Sequence, residues 1–83
     1  MGDYTNLLYQ FSRQVRVGIP PKNIQLAIAS IDQVLAQVTD DVTLPILTLR
    51  LVRALLPLFD VSDPPSEVQL VRNLQPWVAD LLQ

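Results

Sequence analysis

The chain contains no cysteine and no histidine among its 83 residues. Without these side chains it has no disulfide, no thiol nucleophile, no serine–histidine triad and no metal site of the usual nitrogen and sulfur type. The chain has few side chains that could carry out catalysis, because no pair of a nucleophile and a base is available. We therefore expect a protein that is not an enzyme and that binds no cofactor or metal.

Charge of either sign is also scarce. Six basic residues stand against eight acidic ones, which gives a net charge of −2. This balance does not favour a protein that holds nucleic acid on its own by neutralising phosphates. It leaves open a place in a larger nucleic-acid machine.

The longest apolar run is LPILTLRLVRALLPLF at residues 44–59, in which only Thr48, Arg50 and Arg53 are polar. A helix that is apolar nearly all round must be covered on several sides. The two arginines, and a length below about 20 residues, argue against a membrane span. The run is predicted to be both a core helix and a partner surface. The start of the chain lacks the pattern of a secretory signal, so a cytoplasmic location is expected.

Prolines divide the chain into segments whose apolar residues recur at helical spacing. Gly18 is predicted to be the left-handed C-terminal cap of the first helix. Pro57 is expected to end the third helix near Leu56, and Pro76 to kink or split the last helix. The N-cap candidates are Asp3 or Thr5 for the first helix, Asp41 or Thr43 for the third, and Asp63 for the last.

The predicted fold is all-α. We expect one domain over residues 1–83, a small antiparallel bundle of three core helices plus a kinked or split C-terminal helix. The predicted helices lie at about 4–17, 21–38, 44–56 and 64–82, with a break near 75. In the last helix, Val68, Val71 and Leu74 belong to the predicted apolar stripe.

Three groups of residues are candidates for a site, and each has a plainer structural interpretation. The carboxylates Asp40-Asp41 and Asp60/Asp63 suit helix caps better than acid–base catalysis. Arginines at three-residue spacing fit either a solvated face or contacts with phosphate and acidic groups. Trp77 with Leu81 fits core packing and an interface anchor equally. Apolar residues such as Tyr9 and Leu26 exceed what so small a bundle can bury, which indicates an interface.

The order of features between Leu7 and Leu56 carries a resemblance. It consists of Leu7-Leu8, Arg16-Val17, Lys22, an amphipathic helix ending in Val34-Leu35, Asp40-Asp41 and a leucine-rich helix. This order resembles the small helical polymerase cofactor of coronaviruses, non-structural protein seven of the nidovirus replicase. Gly2 and Ile31-Asp32 stand where that family has a lysine and a His-Asn pair, so the roles of those family residues are not carried over. The chain also lacks the cysteine that is frequent in the family.

The resemblance implies a non-catalytic cofactor of a viral RNA-dependent RNA polymerase. Such a protein pairs with a companion cofactor, non-structural protein eight, and supports processive RNA synthesis in the host cytoplasm. It is cut from a polyprotein after Leu-Gln and before a small residue. The ends Leu82-Gln83 and Gly2, after an added Met1, are expected to be such cuts.

The resemblance and the apolar pattern together predict contact residues. Those expected to face the companion by helix-in-groove packing are Leu7, Leu8, Phe11, Val15, Leu47, Leu51, Ala54 and Leu55. Those expected to face the polymerase are Asp32, Leu35 and Ala36. Contact with RNA is expected to be indirect or limited to arginines, and the candidates for contact with RNA or acidic groups are Arg13, Arg16, Arg50 and Arg53. The alternative is a cellular adaptor that binds an amphipathic helix or self-associates. A homo-oligomer is expected for the chain when it is alone.

Overall fold

The computed structural model describes residues 3–83, so Met1 and Gly2, with the predicted N-terminal cut, lie outside the described residues. The prediction of a small all-α bundle is confirmed, and residues 3–83 contain no strand. Two short 3-10 turns, Pro21–Asn23 and Leu56–Leu58, precede α2 and follow α3 respectively. The helices are α1 (Thr5–Val15), α2 (Ile24–Ala36), α3 (Leu44–Leu55) and α4 (Glu67–Leu81).

Both ends of α1 differ from the simplest prediction. The Asp3 carboxylate accepts a hydrogen bond from the Thr5 backbone N–H at 3.0 Å, although Tyr4 occupies the N-cap position. The left-handed residue at the other end is Arg16, with φ of 62°, and Gly18 has no positive φ. The prediction for Gly18 is wrong because the helix ends at Val15, two residues before the predicted end. A left-handed arginine costs about 1 kcal/mol relative to glycine.

Helix α3 lies at the centre of the bundle. It packs against α2 and α4, and α4 in turn packs against α1. Thr48 is fully buried, and its hydroxyl donates to the Leu44 carbonyl at 2.8 Å, so its polar group is satisfied. The predicted end at Pro57 is confirmed, since α3 stops at Leu55 and Pro57 lies in the following 3-10 turn.

The turn after α3 returns an aromatic side chain to the core. Phe59 is 2% exposed and stacks on Phe11 of α1, with ring centroids 4.7 Å apart and planes inclined by 22°. The Asn23 side-chain amide donates to the Leu58 carbonyl at 2.8 Å, which joins the start of α2 to the same turn. The turn therefore connects α1, α2 and α3 rather than only leading to the last helix.

Helix α4 is continuous from Glu67 to Leu81 with Pro76 inside it. Of the two predicted alternatives, a kink or a split near residue 75, the split is therefore wrong. Its N-cap is Ser66, whose hydroxyl oxygen accepts from the Gln69 N–H at 3.2 Å, rather than Asp63. Pro76 removes a hydrogen bond to the Arg72 carbonyl, but both residues are exposed. Buried leucine and valine side chains on the inner face hold the helix together on either side of the proline.

Helix α4 also belongs to the core, which has four helices rather than the predicted three. Its buried residues are Leu70, Leu74 and Val78, whereas Val68 of the predicted stripe is 69% exposed. Contacts with α3 and α1 cover this inner face. Within residues 3–83, no helix has the length and hydropathy needed to cross a membrane.

Replacing Phe59 by alanine is expected to destabilise the fold by about 3 to 5 kcal/mol, because it removes a buried ring and its stacking partner. Urea denaturation followed by circular dichroism measures the change. The exposed Val68→Ala is the matched control and is expected to change stability by less than about 0.5 kcal/mol. Equal effects of the two substitutions would contradict the central packing of Phe59.

Replacing Pro76 by alanine is expected to stabilise the chain by about 2 kcal/mol. The substitution restores the N–H that can donate to the Arg72 carbonyl, and this outweighs the entropy gained by the unfolded chain. Thermal denaturation of the two proteins measures the difference. A lower melting temperature for Pro76→Ala would show that proline fits this position without cost.

Candidate functional site

An apolar groove runs along the outside of the seam between α3 and α4, with a volume of about 510 Å³. Leu47 and Leu51 face the core, so Ile46 and Leu49 fall on the outer side of α3. Ile46 is 46% exposed. The apolar lining of the groove comes from Ile46, Leu49, Val68 and Val71.

The register of α4 brings its outer valines to this groove. Because Ser66 caps α4 and Leu70 is directed into the core, Val68 and Val71 lie beside the outer residues of α3. Val68 is 69% exposed, whereas Val71 is half-buried against the core. The groove thus has an apolar floor that the bundle leaves open.

Charged side chains border the groove. The Arg53 Nε donates to the Glu67 Oε2 at 3.1 Å, which joins α3 and α4 at one end. Both side chains are well exposed, so this pair stabilises the fold by less than about 1 kcal/mol. Arg72 also lines the groove and forms no ion pair within residues 3–83. An acidic group on a molecule in the groove would find Arg72 available.

A second, smaller groove of about 380 Å³ separates α1 from α2. Leu8, Ile24 and Ile28 line it, and Ile24 is 36% exposed. At one end the Tyr4 hydroxyl donates to the Asp32 carboxylate, which joins the two helices. This hydrogen bond links α1 and α2, which otherwise make little contact with each other.

A further concavity, of about 850 Å³, lies beside the turn that follows α3. Prolines 20, 57 and 64 and the pair Arg53–Glu67 contribute to its walls. The lining contains both charged and apolar residues, and no group of three or more acidic side chains within residues 3–83 could hold a metal ion. Its shape alone supplies no chemistry.

The structure places most of the predicted companion-facing residues inside the bundle. Leu8 and Ala54 are half-buried. The others, all in the core, are Leu7, Phe11, Val15, Leu47, Leu51 and Leu55. A partner reaches these six only if the bundle opens. The apolar surface that α3 leaves open is at Ile46 and Leu49.

The residues predicted to contact a polymerase do not share one environment. Asp32 is half-buried and is held by Tyr4, Leu35 is half-buried against the core, and Ala36 is exposed at the end of α2. Tyr9 and Leu26 are exposed at 59% and 55%, as the apolar excess of the sequence predicted.

The four predicted arginines are all exposed but lie in different places. Arg13 and Arg16 line a polar cleft with Asp63 and Gln69, and the Arg13 guanidinium carbon is 6.0 Å from the ring centroid of Tyr9. Arg53 belongs to the α3–α4 groove, together with Arg72, which the sequence reasoning missed. The spacing of Arg72 four residues after Val68 is the signal that places both on one face.

The acidic residues before α3 do not make the side-chain cap that was predicted for them. The Thr39 hydroxyl donates to the Asp41 carboxylate. This hydrogen bond, with help from the Asp41 backbone N–H, lowers the pKa of the Asp41 carboxyl, whose ionised form it favours. Neither Asp41 nor the N-cap residue Thr43 makes a side-chain cap to α3. Asp40, Leu82 and Gln83 are exposed.

Comparison with protein-family models, with curated proteins and with solved structures found no match to this chain. The candidate function therefore depends on the surfaces described above.

Proposed function

We propose that this chain is a non-catalytic binding module that receives the apolar face of a partner's amphipathic helix in the α3–α4 groove. The observation that carries the proposal is the apolar floor of the groove, which charged side chains border and in which Ile46 and Val68 are exposed at 46% and 69%. Leu49 and Val71, both half-buried, complete this floor. A helix with apolar residues at positions i, i+3 or i+4 and i+7 would cover this floor. An acidic residue on its flank would pair with Arg72.

A more specific form of this proposal is the replicase cofactor. The chain would then bind a companion cofactor and an RNA-dependent RNA polymerase in the host cytoplasm, with RNA contact limited to its arginines. Support comes from the resemblance between Leu7 and Leu56, and the all-α fold agrees with what that resemblance implies. The α3–α4 groove offers an apolar surface on which the companion could bind. This surface lies next to the α3 residues that were expected to face the companion and does not include them.

Replacing Val68 by aspartate is expected to weaken the binding of an amphipathic helix at least about tenfold, because a carboxylate would be buried against apolar side chains. The probe is a synthetic peptide with a leucine face and glutamates on one flank, measured by fluorescence anisotropy. Gln69→Asp is the matched control, since it adds the same charge on α4 outside the groove. It is expected to bind as the unchanged chain does.

Arg72→Glu adds a test of the charged border. It is expected to reverse the preference between the acidic peptide and a version with lysines in place of the glutamates. Two results would refute the docking groove: equal affinity for a scrambled peptide, or unchanged binding by Val68→Asp.

Mixing the chain with a companion cofactor and a polymerase of the nidovirus type is expected to lengthen the products of primer extension. Ile46→Asp is expected to abolish the gain. This variant is preferable to Leu51→Asp, because Leu51 is 2% exposed and a charge there would unfold the bundle. Product lengths that do not change on adding the chain would rule out the replicase proposal while leaving the docking groove to the peptide experiment.

A further inference from the structure

Helix α2 presents an outward face that carries no charged side chain. A solvent-facing side of a helix is ordinarily rich in charge, whereas the centre of a protein interface is depleted of it. Leu26, near the N-terminal end of this polar but uncharged surface, is 55% exposed. The exposed residues that form the face, named here the α2 face, are Gln25, Leu26, Ala29, Gln33, Ala36 and Gln37.

The side chains of the α2 face can pack against those of a second, antiparallel copy of the same face. When two such helices run antiparallel about a two-fold axis near Ile31, Leu26 of one copy lies opposite Ala36 of the second copy. Ala29 then lies opposite Gln33, so in these two pairs a large side chain meets a small one. Gln25 lies opposite Gln37, and two amides supply both donors and acceptors to each other.

The charges at the two ends of α2 favour the same arrangement. Lys22 precedes the helix and Asp40 follows it, and both are exposed. Neither forms an ion pair within residues 3–83. An antiparallel pair of helices places Lys22 of each copy near Asp40 of the other, whereas a parallel pair places like charges together.

We propose that the α2 face is the surface through which two copies of this chain associate, antiparallel and two-fold symmetric. The interface is one helix wide and falls below about 1,200 Å² of total buried area, so the dimer is a weak one. The proposal does not depend on the docking groove, because no residue of the α2 face lines that groove. The α3–α4 groove of each copy therefore stays open in such a dimer.

Sedimentation equilibrium from about 10 µM to about 1 mM tests the association, a range that covers weak dimers. The unchanged chain is expected to shift from monomer to dimer within this range. Ala29→Glu is expected to raise the dissociation constant at least about tenfold, because it buries a carboxylate near the axis. Asn6→Glu adds the same charge to an exposed position of α1 and is expected to leave the constant unchanged.

Circular dichroism shows whether each variant keeps its helical content, so that loss of association is not confused with unfolding. A chain that stays monomeric up to the highest concentration would overturn the proposal. A folded Ala29→Glu variant that dimerises as the unchanged chain does would overturn it as well.

Cysteine crosslinking tests the register, because the natural chain has no cysteine to interfere. A mixture of Ala29→Cys and Gln33→Cys chains is expected to form the mixed disulfide faster than either chain forms a disulfide with itself. A mixture of Leu26→Cys and Ala36→Cys is expected to behave in the same way. Faster crosslinking between identical positions, or none in any mixture, would contradict the antiparallel pairing.

Discussion

Helix α3 carries apolar side chains around most of its circumference, and covering it is the constraint on which the fold depends. Five of its residues are buried, including Thr48, whose hydroxyl is satisfied within the helix. The covering is shared by α2 on one side and α4 on another, while Phe59 folds back against Phe11. A chain of 83 residues has room for only one such core, so the apolar side chains on the outer faces of the helices stay exposed.

The same constraint explains where apolar surface remains. Helices α1 and α4 turn their most apolar sides toward the centre, so the outer residues of α3 and α4 meet no further helix. Ile46 and Val68 stay exposed for this reason, beside the ion pair of the groove and beside Arg72, which has no ion-pair partner within residues 3–83. A fifth helix would complete the layer on this side, and within residues 3–83 the chain has none to provide.

Much of the fold could be predicted from the sequence, because helical spacing and proline positions are local signals. The four helices, the end of α3 before Pro57 and the apolar excess at Leu26 follow from them. The continuity of α4 through Pro76 does not, since it depends on packing of Leu74 and Val78 that no local rule contains. The position of the groove was not predicted for a related reason. Helix α3 is apolar on nearly every side, so helical spacing fits more than one choice of buried face. The sequence alone does not tell which of these faces is covered by the other helices.

The α3–α4 groove and the α2 face share no residue and suit different binding partners, so one small domain can carry both surfaces. The α3–α4 groove has an apolar floor and fixed charges, which suits an occupant of complementary charge. The α2 face carries no charged side chain and fits an antiparallel copy of itself, which suits association with a second copy of the chain. Each binding event would stabilise the folded state by mass action, since neither surface exists in the unfolded chain. For a domain with so small a core, assembly is then also a source of stability.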